Sequence, residues 1–135
     1  MRIRSHTRLV SFSLGSALMF SSTGVHAQST HLVIKSGESV QLHDVIWVRN
    51  CASIIVGTPE IEVLEGPAEL TLAYKPGMII PRAQNCAKPV QGGTVIATAK
   101  EIKEPVEAKL TYRIKLKTKI GDRQEGRVFN VSLFP

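Results

Sequence analysis

Four cations recur at every second position within the stretch AKLTYRIKLKTK (108–119): Arg113, Lys115, Lys117 and Lys119. On an extended strand they project from one face about 6.5–7 Å apart, a spacing that can meet the repeating charges of an anionic polymer. A row of lysines also keeps an exposed strand from pairing with foreign chains, and this solvated role is the preferred reading of the comb. Glu101, Glu104 and Glu107 stand close by in sequence and could neutralise part of it. Other chemistry has little material. His31 and His43 are the imidazoles beyond residue 27, and His43 adjoins Asp44, which strand geometry sends to the opposite face. A His31/His43 pair across two strands could hold a metal, but ordinary surface imidazoles are preferred. No G-x-S-x-G elbow presents a nucleophile, and no set of three or four clustered ligands suggests zinc. No catalytic residue, metal site or cofactor is therefore assigned.

The elements that must position the comb follow from the same stretch. Between the cations lie Ala108, Leu110, Tyr112, Ile114, Leu116 and Thr118. This period of two makes one apolar and one cationic face, which a helix would mix. A turn at Ile120-Gly121-Asp122-Arg123 and a return strand at Arg127–Phe134 complete a long C-terminal hairpin, one face in a core and one in water. Upstream, Thr30–Ile34 reads as a short strand followed by a turn over 35–38. Ser39–Val48 reads as a strand near the sheet centre, with Trp47 as a core anchor. Glu60–Glu65 alternates with Ile61 and Val63 inward, and Ala68–Tyr74 alternates again. Lys75-Pro76-Gly77-Met78 carries strong turn chemistry, and the prolines and glycines of 78–93 predict a loop or edge segment. Thr94–Ala99 is a further strand, and Lys100–Glu107 a charged connector broken at Pro105. About seven or eight short strands with Gly/Pro turns and no helix predict an all-β chain, a single antiparallel β-sandwich.

The N-terminus predicts export. Arg2, Arg4 and Arg8 precede the apolar run Leu9–Phe20, and small residues at Val25 and Ala27 suit cleavage before Gln28. The apolar run is too short for a spanning helix, which needs about 20 apolar residues. Residues 28–135 are then one domain, periplasmic or secreted, with no transmembrane segment after cleavage. Removing 1–27 takes three arginines and no acid from a chain of formal charge +6, leaving it mildly basic. Such a balance does not point to nucleic acid. In an oxidising compartment Cys51 and Cys86 are expected to form one disulfide, since the C-x-x-C spacing of a redox pair is absent. Closing that loop should stabilise the fold by about 4 kcal/mol. Asn130-Val131-Ser132 matches the N-glycosylation pattern but falls inside a predicted strand.

Gly66-Pro67-Ala68-Glu69-Leu70, Gly92-Gly93-Thr94, Leu110-Thr111-Tyr112-Arg113-Ile114, Gly121-Asp122 and the closing strand Val128–Leu133 resemble bacterial Ig-like or cadherin-like modules. The resemblance covers roughly the last half of the chain. It implies an Ig-like sandwich and an adhesion-type or architectural role outside the cytoplasm. The acidic calcium motifs of cadherin repeats are absent, and Trp47 precedes both cysteines instead of lying between them. The expected function is a non-enzymatic binding or structural module that contacts an anionic envelope polymer or an extracytoplasmic protein through the basic strand face. The alternative is a small extracytoplasmic hydrolase or metal-dependent enzyme on the same sandwich.

Overall fold

The computed structural model describes residues 30–135, and the expected export signal over 1–27 lies outside the described residues. Nine strands run in the order β1 (Thr30–Lys35), β2 (Ser39–Val45), β3 (Val48–Arg49), β4 (Ala52–Ser53), β5 (Ile55–Glu65), β6 (Leu70–Ile79), β7 (Val90–Ala99), β8 (Val106–Thr118) and β9 (Gly121–Phe134). A four-stranded sheet, β1-β9-β8-β5, faces a three-stranded sheet, β2-β7-β6, and β3-β4 is a small separate hairpin. The chain is an all-β sandwich with a Cys51–Cys86 disulfide. Lettered A to G, its seven long strands form sheets A-G-F-C and B-E-D. This is the strand order of an immunoglobulin-type sandwich with its first strand moved to the CFG sheet.

The hairpin β8–β9 is the spine. Alternation along β8 buries Leu110, Tyr112, Ile114, Leu116 and Thr118 and leaves the odd positions half-exposed or exposed, as the period of two requires. Its turn is tighter than predicted. Lys119-Ile120 alone connect the strands, because Gly121, at φ 120°, already pairs with Thr118. Phe129, Val131 and Leu133 of β9 and Ile34 of β1 extend the core on this sheet, and Val45, Val95, Ala97 and Ala99 meet them from the other.

Four sequence expectations are corrected. The sandwich is not purely antiparallel, because β1 runs parallel to β9, pairing Thr30 with Phe129 and Lys35 with Phe134. The predicted central strand Ser39–Val48 is shorter and lies at a sheet edge: β2 stops at Val45, and β7 is the middle strand. Lys75-Pro76-Gly77-Met78 is not a turn. β6 runs through it to Ile79, with Pro76 opposite Gly93 and Gly77 opposite Gly92. An edge strand tolerates proline when the missing N–H would have faced outward. β7 correspondingly starts at Val90, four residues before the predicted Thr94. Gly92 and Gly93 belong inside it because the neighbours leave no room: a Cβ on Gly92 would lie 2.6 Å from the Ile46 side chain, and one on Gly93 would overlap the Tyr74 ring. Finally, β5 is longer than Glu60–Glu65 and starts at Ile55. Its register sets Ile61 and Val63 on the inner side, although Val63 remains 49% exposed.

The connections gather at two ends. The β2–β5 segment (46–54), the β6–β7 loop (80–89) and the β8–β9 turn share one end, where the Lys119 amide donates to the Ile54 carbonyl and the disulfide joins Cys51 to Cys86. The segments 36–38, 66–69 and 100–105 share the other. There the Gly37 amide donates to the Ala99 carbonyl, the Lys100 amide to the Glu69 carbonyl, and the Ile102 amide to Ser36 Oγ.

Candidate functional site

The comb is split by its neighbour strand. β5 sets Glu62 directly opposite Arg113 and Glu60 opposite Lys115. Glu62 takes a two-point contact from Arg113, Nε at 2.7 Å and Nη2 at 3.0 Å, and a third from Lys115 Nζ at 2.8 Å. Hydrogen bonds from Arg113 and then Lys115 hold the Glu62 carboxyl down at about 2, and the same contact raises the Arg113 guanidinium. The connector acids do not do this. Glu107 instead accepts from Ser132 Oγ at 2.7 Å, and Glu101 and Glu104 lie at the far end. Lys117 and Lys119 form no ion pair among the described residues, and they stand at the hairpin tip.

That tip belongs to an end braced by unusual backbone. Asn50 and Cys51 connect β3 to β4 as a two-residue loop, with φ of 52° and 58°. Two successive positive φ values are what a type I′ hairpin demands, and Asn-Gly is the usual choice. Cys51 occupies the glycine position, where its sulfur reaches Cys86 behind a short 3-10 turn at Arg82–Gln84. The disulfide thus holds a left-handed residue in place and ties the hairpin to the 80–89 loop.

Beside this brace, Trp47 lies half-buried against the core with the Arg123 guanidinium 5.9 Å above its ring. A cleft of about 280 Å³ opens next to it, lined by Ile46, Trp47, Val48, Gln84 and Glu125. Arg123, Glu125 and Arg127 pair across the ladder with Leu116, Ile114 and Tyr112, so they occupy the inner face of β9. Trp47 was expected as a core anchor, and its packing partly bears that out.

His43 is not a surface imidazole. A bulge in β2 sets Gln41 opposite Ile96 and His43 opposite Val95, with Leu42 as the extra residue. One extra residue exchanges the faces, so the strand parity that would send His43 outward is reversed. His43 Nδ1 lies 2.8 Å from the hydroxyl of Tyr112, the rings stack at 5.8 Å, and Tyr112 stacks in turn on Phe129 at 6.1 Å. His43 Nε2 is buried without a partner. Burial first, and then the nearby Arg127 charge, lower the His43 pKa to about 4 against a smaller opposing effect of Asp44. Burial pushes the Tyr112 hydroxyl well above its ordinary value. The pair is a neutral hydrogen bond between the sheets.

His31 is on the other sheet, where its Nε2 lies 2.6 Å from Ser132 Oγ. Ser132 donates to Glu107, so the hydroxyl stands between imidazole and carboxylate. An activated serine needs the imidazole in the middle. This chain of contacts instead fastens β1 to β9 and β8. It also occupies the hydroxyl of the Asn130-Val131-Ser132 tripeptide, which lies within β9. The two histidines are thus not brought together. Among the described residues no group of three or more His, Cys, Asp and Glu is placed to hold a metal, and no helix is long and apolar enough to cross a membrane.

Charge divides between the ends. Arg49, Arg82, Lys117, Lys119 and Arg123 surround the braced end, against Asp122 and Glu125. Glu38, Glu65, Glu69, Glu101 and Glu104 surround the other, against Lys100 and Lys103. The sequence reading missed Glu62 as the comb's partner, although Glu60 and Glu62 share the comb's period of two. It also missed Arg123 beside Trp47, for which the linear sequence carries no signal. Compared with protein-family models, with curated proteins and with solved structures, the chain matches none.

Proposed function

We propose that the protein is a non-enzymatic binding module of the periplasm or cell exterior that takes an anionic polymer at the braced end of its sandwich. The observation that carries this reading is the separation of charge: unpaired cations collect where the disulfide holds irregular backbone rigid, and acids collect at the opposite end. Such a field draws an anionic partner to one end and repels it from the other. Trp47 and Arg123 supply an aromatic and a guanidinium of the kind that anchors interfaces, on loops positioned by a stiff scaffold. The disulfide supports an oxidising location. The basic strand face considered from sequence takes only a part, since Arg113 and Lys115 are already engaged by Glu62.

Trp47 is the single tryptophan, so its fluorescence reports on this end directly. Titration with heparin at low salt should change that signal, and the affinity should fall as salt rises. The variant Lys117→Ser/Lys119→Ser/Arg123→Ser should lose most of the affinity, and Arg113→Ser/Lys115→Ser much less. Absence of heparin binding at low salt, or equal loss in the two variants, would sink the proposal.

A further inference from the structure

The cationic end holds two carboxylates that a purely anionic ligand would meet as repulsion. Glu60 and Asp122 line a cavity of about 200 Å³ together with Thr58, Lys117, Arg123 and Gln124. β5 opens this cavity. Between Val56 and Glu60 it carries three residues, Gly57, Thr58 and Pro59, against the single Leu116 between Lys117 and Lys115 of β8. Gly57 makes the detour at φ 72°, a conformation that costs glycine little, and Pro59 is buried beneath it. Bulges of this sort lie where a strand leaves room beside a site.

The charges lining the cavity do not cancel one another. Lys117 and Asp122 are direct cross-strand neighbours and form no ion pair. Glu60 faces Lys115, but Lys115 is committed to Glu62. Arg123 turns one nitrogen to the backbone carbonyl of Asp122 and lies over Trp47. A sulfate or phosphate seated between Lys117 and Arg123 would have both carboxylates as close neighbours, well inside the distance over which salt screens them. An ammonium group on the same ligand converts that repulsion into attraction.

We infer that this cavity is an ammonium subsite, and that the anionic polymer taken by the braced end carries primary amines, as a partly sulfated amino-sugar chain or an aminoacylated phosphate polymer does. The inference rests on the reading of the braced end as a polyanion site.

The test uses heparin with its N-sulfates removed, compared with the same material N-acetylated afterwards. The two retain the same O-sulfates and differ only in the ammonium. By Trp47 fluorescence at neutral pH, the free-amine polymer should bind about two- to fivefold tighter per engaged amine, as an exposed ion pair supplies. The variant Glu60→Gln/Asp122→Asn should abolish that preference and bind fully sulfated heparin more tightly. Equal binding of the two polymers to the parent protein, or a preference that survives in the variant, overturns the subsite and leaves the braced-end reading standing. If neither polymer nor heparin binds at low salt, the braced-end reading falls and the subsite falls with it.

Discussion

The two ends of the sandwich solve the same problem by different means. At the acidic end the connections continue the ladders: Gly37 and Ala99 exchange bonds with Ala99 and Glu38, Lys100 bonds Glu69, and Ile102 folds inward as a buried plug. Backbone groups there are satisfied by neighbours, and apolar burial holds the segment down. At the braced end the chain leaves the ladders at Ile46, turns through two left-handed residues, and is held by a covalent bond. Irregular backbone that presents Trp47, Arg123 and a cleft cannot also complete a sheet. The difference separates a closing end from a presenting end.

The largest test removes the brace. Cys51→Ala/Cys86→Ala should lower unfolding stability by about 2–5 kcal/mol in urea. Amide exchange should rise over 46–54 and 80–89 while 36–38 and 100–105 hold their protection; equal loss at both ends would break the contrast. At the other end, Ile102→Ala should cost about 2–4 kcal/mol through the cavity it leaves. Its heparin affinity should match the parent's, and a loss there would show that the ends are not independent.

The seam between the sheets gives a third effect, set by pH. The folded state holds His43 near 4, whereas an imidazole in the unfolded chain titrates near 6.5. Between these values the unfolded chain binds more protons. The stabilisation is therefore complete above about pH 6.5 and is lost as pH falls toward 4, by at most about 3 kcal/mol. Urea midpoints at pH 7 and 4.5 measure it. His43→Leu/Tyr112→Phe should flatten the dependence over that window, since it removes both partners of the buried bond. A dependence as steep as the parent's would remove His43 as its source. The smallest expected effect sharpens the charge contrast: Glu62→Gln releases Arg113 and Lys115, and should tighten heparin binding about two- to threefold with a steeper salt dependence.

Legibility in the sequence followed how local each feature is. The inward set Leu110, Tyr112, Ile114 and Leu116 was readable because strand parity needs no knowledge of neighbours, and the disulfide because two cysteines leave one pairing. Pro76 misled because proline's cost depends on whether its N–H faces a partner, and only the sheet order makes β6 an edge. His43 misled because a single extra residue at Leu42 reverses the parity, and nothing in the local alternation marks it.

The sequence by itself determined the strand content, the two-faced hairpin and the Cys51–Cys86 pairing, all consequences of covalent geometry and composition along one segment. Only the tertiary structure decided the parallel placement of β1, the capture of Arg113 and Lys115 by Glu62, the burial of His43 on Tyr112, and the gathering of unpaired cations around Trp47. Each of these depends on which distant segments become neighbours and in what register. Charge and hydrogen bonding act over a few ångströms of space, and the chain order carries no measure of that distance.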